Sequence, residues 1–289
     1  MSQKKQGFVY GAMILMLSNI IVKVVGAIFK IPLANVIGDN AMGYFSSAYS
    51  IYSMCFLIST AGLPVAISRM IAAARARKNF RESDQIYRVS LLIFMVIGFF
   101  GTALLFFGAD AFAAGAKSPQ LAICIRTISP IMFFICLVSC FRGYFQGYQN
   151  MIPTAVSQVV EVLGNLFLGL TAGIFASKNG YSAPVVASFA LGGITLGVVL
   201  SAFYMAFAKH VSKRDREAGL DLVPRGKGEI ARELIAIAIP ITISSSIMSL
   251  TSVIDSMLAV GRMNDACVGN VYFAAEKGSD VAMSIYGAY

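Results

Sequence analysis

Residues 8–37 read FVYGAMILMLSNIIVKVVGAIFKIPLANVI, an apolar run interrupted by two charges, Lys23 and Lys30. About 20 apolar residues suffice to cross a bilayer, so this run reads as a membrane-spanning helix. A lysine placed against lipid near the bilayer centre costs roughly 2.5 to 3.5 kcal/mol on insertion scales, so something polar must face these two. On a helix, Asn19, Lys23, Gly26 and Lys30 fall at i, i+4, i+7 and i+11, which puts both ammonium groups on one stripe of small and polar residues. The stripe reads as the wall of a wet, cationic cavity, and its natural cargo is an anion.

The rest of the chain has the same character. Of its 289 residues 57% are hydrophobic and 13% charged, with a mean hydropathy of +0.75, far outside the range of soluble domains. No alternating period dominates, so the fold class is all-α, a polytopic transmembrane helical bundle rather than a barrel. Further apolar runs cover Gly43 to Met70, Val89 to Phe112, Leu121 to Phe141, Pro153 to Ser177, Pro184 to Ala208 and Leu234 to Val260. An eighth span starts near Val281, so the chain is expected to be a fragment of a longer protein. The first run is too long for a signal-peptide core and has no small-residue cleavage site, which makes it an uncleaved span. The most polar stretch divides the chain into an N-terminal lobe of six spans (1–208), a cytoplasmic linker (209–233) and the start of a second lobe (234–289).

Lysine and arginine number 23 against 14 acids, a net charge of +9. With the N-terminus placed in the cytoplasm, most of these cations fall in the inner connections, around Arg69 to Arg88 and Lys209 to Arg232. This is the positive-inside pattern of a cytoplasmic-membrane protein, and it accounts for the basic balance without nucleic acid. The five cysteines form no disulfide framework or metal motif, and His210, the single histidine, sits in a basic loop. No Walker sequence, dinucleotide fingerprint or HExxH motif occurs. The chain therefore reads as a non-enzyme that needs no cofactor or metal. Membrane potential or an ion gradient is left as energy source, with a coupling cation among the expected partners.

The fifth span repeats the geometry of the first, with Thr154, Gln158, Glu161 and Asn165 at i, i+4, i+7 and i+11. Glu161 either pairs with Lys23 across an offset of the two helices or faces it through water. Arg126 and Asp255 fall at about the depth of Lys30, toward the outer side. For a diphosphate, lysine acts as a point charge and arginine can bind two oxygens at once. Arg126 can equally snorkel to the interface. Pro32, Pro64, Pro130 and Pro240 lie inside spans, where each frees the carbonyl four residues back; for Pro130 this is that of Arg126. Ser46, Ser50 and Ser53 form a hydroxyl stripe whose ordinary role is bonding to their own backbone. Gly169, Gly173, Gly193 and Gly197 have the spacing of close helix packing.

Two further stretches carry a resemblance. Arg142-Gly-Tyr-Phe-Gln-Gly147, followed by Met151-Ile-Pro-Thr-Ala155, Ser157-Gln-Val159 and Glu161, resembles the stage V sporulation protein B branch of the MurJ-type lipid II flippases. Gly62-Leu-Pro-Val-Ala-Ile-Ser68 resembles the same branch. Polysaccharide-lipid exporters and multidrug extruders share its superfamily. The resemblance implies fourteen helices in two lobes, and first-span cations that engage the diphosphate of a lipid-linked saccharide while its lipid tail stays in the bilayer. Lys23 matches the first of these cations, and Lys30 matches the second with a one-residue slip. The second-span arginine of some members is replaced here, near Leu57. From the residues alone, Gly143 and Gly147 are expected to permit a tight cytoplasmic turn and Pro153 to open the next helix.

The expected function is thus a flippase for a lipid diphosphate-linked saccharide such as lipid II. Lys23, Lys30 and Arg126 would bind the diphosphate, and Asn19, Gln158, Glu161, Asn165 and Asp255 would line the cavity or couple transport. A multidrug extruder would call for an acid-dominated pocket instead, another polysaccharide-lipid exporter would use the same phosphate chemistry, and a membrane scaffold would need no cavity.

Overall fold

The computed structural model describes residues 8–212 and 225–244, with Ile254 and Leu258, except for the side chains of residues 8–9 and 54–61. Among these residues every regular element is helical, as expected of a chain whose backbone polar groups must be satisfied within each segment when lipid surrounds it. The first helix, α1 (Phe8–Ala61), is broken at Gly38, where φ is 77° and ψ is 165°. Only glycine takes up such a backbone readily. The chain folds back there. Phe29 and Phe45, on opposite sides of Gly38, bring their ring centroids to 6.3 Å, whereas a straight helix would hold them more than ~20 Å apart. The limbs 8–37 and 39–61 are therefore antiparallel, as expected of two consecutive spans.

The second span does not run on as one helix to Met70. It stops at Ala61, and α2 (Leu63–Ala76) starts afresh with Pro64 in its first turn, a position that tolerates a missing N–H. Helix α3 (Phe80–Gly115) begins well before the apolar run that announced it, because the Asn79 side chain accepts a hydrogen bond from the Glu82 amide at 3.1 Å and caps the polar first turns. Helices α4 (Leu121–Ile128) and α5 (Ile131–Gly147) make one span interrupted at Pro130. The Arg126 carbonyl that the proline strips of its partner accepts the Ser129 hydroxyl at 2.8 Å. Helix α6 (Ile152–Gly164) passes through a π-helical turn (Asn165–Gly169) into α7 (Leu170–Lys178), α8 spans Ala183–Val211, and residues 227–244 are helical.

Among the described residues five helical stretches are long and apolar enough to cross a bilayer, and the first, Tyr10–Ser53, runs through both limbs around Gly38. The chain is an all-α, multi-pass membrane bundle. Its interior is sealed by Tyr44, Phe45, Phe94 and Phe145, each almost fully buried, while Phe107 on α3 is 80% exposed, an orientation suited to lipid rather than water. Helix α5 packs against α3 and α2, and α8 against α6, α1 and α4.

The glycines of the Arg142–Gly147 stretch serve a purpose other than the expected turn. They lie inside α5 and admit α2 at backbone distance. A methyl group at Gly143 would sit 2.9 Å from the Pro64 carbonyl, and one at Gly147 would sit 2.7 Å from Ile71 Cβ. The turn that follows is made by Gln149, with φ at 57°. The two stretches that carry the family resemblance are thus packed on each other. Gly143→Leu is expected to wedge them apart and destabilise the bundle by about 1–3 kcal/mol, read as a lower midpoint of thermal unfolding in detergent. The expected close packing of the fifth and sixth spans is present, since a methyl at Gly164 would lie 2.7 Å from Gly197 Cα and one at Gly193 would strike the Gly169 backbone.

The helix over 227–244 begins seven residues before the apolar run at Leu234, in a polar turn clasped to α3. Arg225 Nε bonds the buried Glu82 at 2.5 Å and its other arm bonds Glu233, while Gln85 Nε2 donates to the Arg225 carbonyl at 2.8 Å. Arg77 also bonds Glu82, at 3.2 Å, and Asn79 Nδ2 donates to its other oxygen at 2.9 Å. The same helix lies on bare backbone at Gly62, where a methyl would strike Ala238 and Thr242. The remainder of the predicted seventh span, Asp255 with it, the start of an eighth span and residues 213–224 of the predicted linker lie outside the described residues.

Candidate functional site

The first limb of α1 and the α6–α7 segment rise side by side in the same direction. Gly11 lies against Met151 and Phe29 against Gly169, and Ser18 Oγ bonds Gln158 Oε1 at 2.9 Å, a separation of 140 residues. The same offset of 140 relates the other two pairs. This parallel register brings the two polar stripes together, so that Gln158 Nε2 donates to Asn19 Oδ1 at 3.4 Å. It also levels Lys23 with the turn holding Glu161, removing the offset in depth that the sequence suggested.

Between the stripes lies a cavity of about 460 Å³ whose walls include Asn19, Lys23, Lys30, Gln158, Glu161 and Asn165, six of the eight expected site residues. Asn165 opens the π-helical turn. With its amide nitrogen turned inward, it donates to the Glu161 and Ile194 carbonyls at 3.0 and 3.1 Å. It thereby satisfies a carbonyl at the point where the α-helical ladder is disrupted. Lys30 Nζ stands 5.7 Å over the ring of Tyr49, which stacks on Phe45, a cation–π contact. Lys23 has no hydrogen-bond or ion-pair partner among the described residues.

Glu161 is not paired with Lys23. Its partner is Arg142, whose Nη2 lies 2.7 Å from Glu161 Oε2 and whose Nε donates to Ser157 Oγ at 3.0 Å. The Ser157 hydroxyl donates in turn to the Thr154 carbonyl at 2.7 Å, and the Ser157 backbone carbonyl accepts from Ser201 on α8 at 3.0 Å. Arg142 is 8% exposed and lines the cavity, although the sequence placed it at the mouth of an inner connection. Helical hairpin symmetry would have found it. Arg142 and Ser157 are equidistant from the turn between Gln149 and Asn150, so they lie level, and a long arginine side chain reaches one turn further to Glu161.

Arg126 is the residue the structure moves away. It does not line the cavity but pairs with Asp110 of α3 at 2.6 Å, with both side chains largely exposed. Sequence reasoning passed over Asp110 because it sits at the end of an apolar run. Ser50 and Ser53 bond their own helix, to the Ser46 and Ser50 carbonyls at 2.9 and 2.8 Å, the ordinary role expected of them, although Ser53 also reaches the cavity wall.

Among the described residues three cations therefore face the cavity against one carboxylate, and that carboxylate is engaged by Arg142. Both lysine ammonium groups remain available to an anion. Such a site can hold a phosphate or diphosphate by point charges and neutral amide donors.

Comparisons with known proteins agree with the architecture. The chain is 28% identical over 271 residues to stage V sporulation protein B of Bacillus subtilis (strain 168), covering 92% of this chain and 52% of that one. It is 27% identical over 202 residues to the lipid II flippase MurJ of the same organism, covering 67% and 37%. It spans about half the length of the curated relatives it matches. Among solved structures, an inward-facing multidrug resistance MATE family transporter of the MOP superfamily superposes with a TM-score of 0.67 at 16% identity, covering 91% of this chain and 56% of that one, a likeness of fold. With residues 8–288 matching the family profile, from the first span through the cavity-lining helices and beyond, the chain belongs to the polysaccharide biosynthesis protein family.

Proposed function

We propose that this chain forms the first lobe, and the start of the second, of a flippase that moves a lipid diphosphate-linked saccharide, lipid II in the first instance, across the cytoplasmic membrane. The observation that carries this reading is the pair Lys23 and Lys30, exposed on a cavity whose one lining carboxylate among the described residues is engaged by Arg142. The diphosphate sits between the lysines, the saccharide occupies the aqueous cavity closed by the second lobe, and the lipid chain stays in the bilayer. The N-terminus is cytoplasmic, which puts the Arg69–Arg88 and Lys209–Arg232 cations on the inner side. Residues 209–233 join the lobes, and transport is by alternating access driven by membrane potential or an ion gradient, with no covalent chemistry on the cargo.

Glu161 holds Arg142 in place on this reading, and Arg126 belongs to its pair with Asp110 rather than to the cargo. A cation-dominated cavity disfavours an organic-cation extruder. The test is binding of purified full-length protein to lipid II, to the same polyprenyl diphosphate without saccharide, to its monophosphate and to a neutral polyprenol. Affinity is expected to fall at least about tenfold from diphosphate to monophosphate, since each charge-assisted contact is worth about 1.5–3 kcal/mol. Equal binding of the neutral polyprenol would overturn the reading. Tighter binding of a wall-polymer precursor other than lipid II would keep the chemistry and change the cargo.

A further inference from the structure

A second cavity, of about 720 Å³, opens between α3 and the helix over 227–244, away from the site described above. Its α3 wall carries Arg81, Asp84, Arg88 and Leu92, spaced i, i+3, i+7 and i+11, so charge gives way to apolar surface along one stripe over ~16 Å. Its other wall supplies Lys227. Neither Arg88 nor Lys227 has an ion-pair partner among the described residues, and both are exposed. Leu92, 61% exposed, with Val89 beside it, continues the cavity toward the bilayer-facing surface of α3. Arg88 stands where the apolar run of α3 begins, the level at which a phospholipid phosphate lies beside a spanning helix.

We propose that this cavity is a binding site for an anionic phospholipid. The phosphodiester lies between Arg88 and Lys227, and one acyl chain follows Val89 and Leu92. Charge complementarity selects the occupant: Arg88 and Lys227 have no ion-pair partner among the described residues, and the end they occupy adjoins the apolar surface of Val89 and Leu92. A soluble anion would leave the apolar wall uncovered, and a zwitterionic lipid would place its own cation beside Arg88 and Lys227. Because the walls belong to α3 and to the helix that follows the linker, and Arg225, Glu82 and Gln85 clasp them together just beside the cavity, a bound lipid bridges the two.

The experiment is native mass spectrometry of the full-length protein in detergent, titrated with phosphatidylglycerol or with phosphatidylcholine of the same acyl chains. Phosphatidylglycerol is expected to be retained at least about tenfold better, as two basic side chains near a headgroup provide. Arg88→Gln with Lys227→Gln should abolish that preference, with Lys117→Gln plus Lys178→Gln as the control that leaves it intact. Lys227→Gln alone, at an exposed position, should lower the preference by about fivefold, and this readout does not depend on the double variant folding. Equal retention of the two lipids, or full preference in the Arg88→Gln/Lys227→Gln protein, overturns the proposal. So does displacement of phosphatidylglycerol by inorganic phosphate at equal concentration, which would make the site one for a free anion.

Discussion

Arg142→Ala is expected to destabilise the bundle by about 3–5 kcal/mol, because it leaves the Glu161 carboxylate with little solvent and without its direct ion-pair partner. In the intact protein the two side chains are 9% and 13% exposed and 2.7 Å apart, so neither can be hydrated on its own. Glu161→Ala should cost a similar amount by stranding the guanidinium, which would keep only its bond to Ser157. Replacing both, as Arg142→Met with Glu161→Leu, should recover most of the loss, since a buried pair exchanged for apolar groups of similar volume is often close to neutral. The double-mutant cycle, followed by unfolding in detergent, then yields a coupling energy well above the roughly 0.5 kcal/mol seen for independent sites. Single variants that unfold at the wild-type midpoint would mean that the cavity hydrates both groups.

The lysines should behave in the opposite way. Lys23 and Lys30 are exposed and neither is ion-paired among the described residues, so Lys23→Ala combined with Lys30→Ala in the full-length protein should leave the unfolding midpoint nearly unchanged while abolishing function. If each lysine contributes a charge-assisted contact of about 1.5–3 kcal/mol to the diphosphate, losing both lowers affinity by more than about a hundredfold. Under the proposed function, lipid II externalisation in cells that depend on this protein is the direct readout. Lys23→Arg should retain most activity if the group acts as a point charge. Unchanged externalisation in the double alanine variant would remove the lysines from the mechanism.

This contrast follows a division in what the sequence made legible. Apolar length alone located the membrane-crossing segments from the first span through α8, apart from the break after Ala61, and helical spacing alone put Asn19, Lys23 and Lys30 on one stripe and Gln158, Glu161 and Asn165 on another. Partnership between helices was less accessible. Hydropathy ended the fourth span at Phe141, so Arg142 was assigned to a loop although α5 runs six residues further, and Glu161 lost its true partner with it. Arg126 was judged by depth, which says nothing about azimuth, and on its face of the bundle Asp110 waits. Pro130 was readable because its consequence is local: the carbonyl it frees lies four residues away and is taken by a neighbouring hydroxyl.

The parallel pairing of the first limb with α6–α7 keeps a constant offset from Gly11 to Phe29, and this sets how the gene can tolerate change. One residue inserted or deleted between Asn19 and Lys23 would turn both lysines about 100° around the helix axis and carry them off the cavity while preserving every charge and nearly all the hydropathy. Reading-frame-preserving indels within these two helices should therefore be as disabling as loss of the lysines, whereas substitutions among their lipid-facing positions pass with little effect.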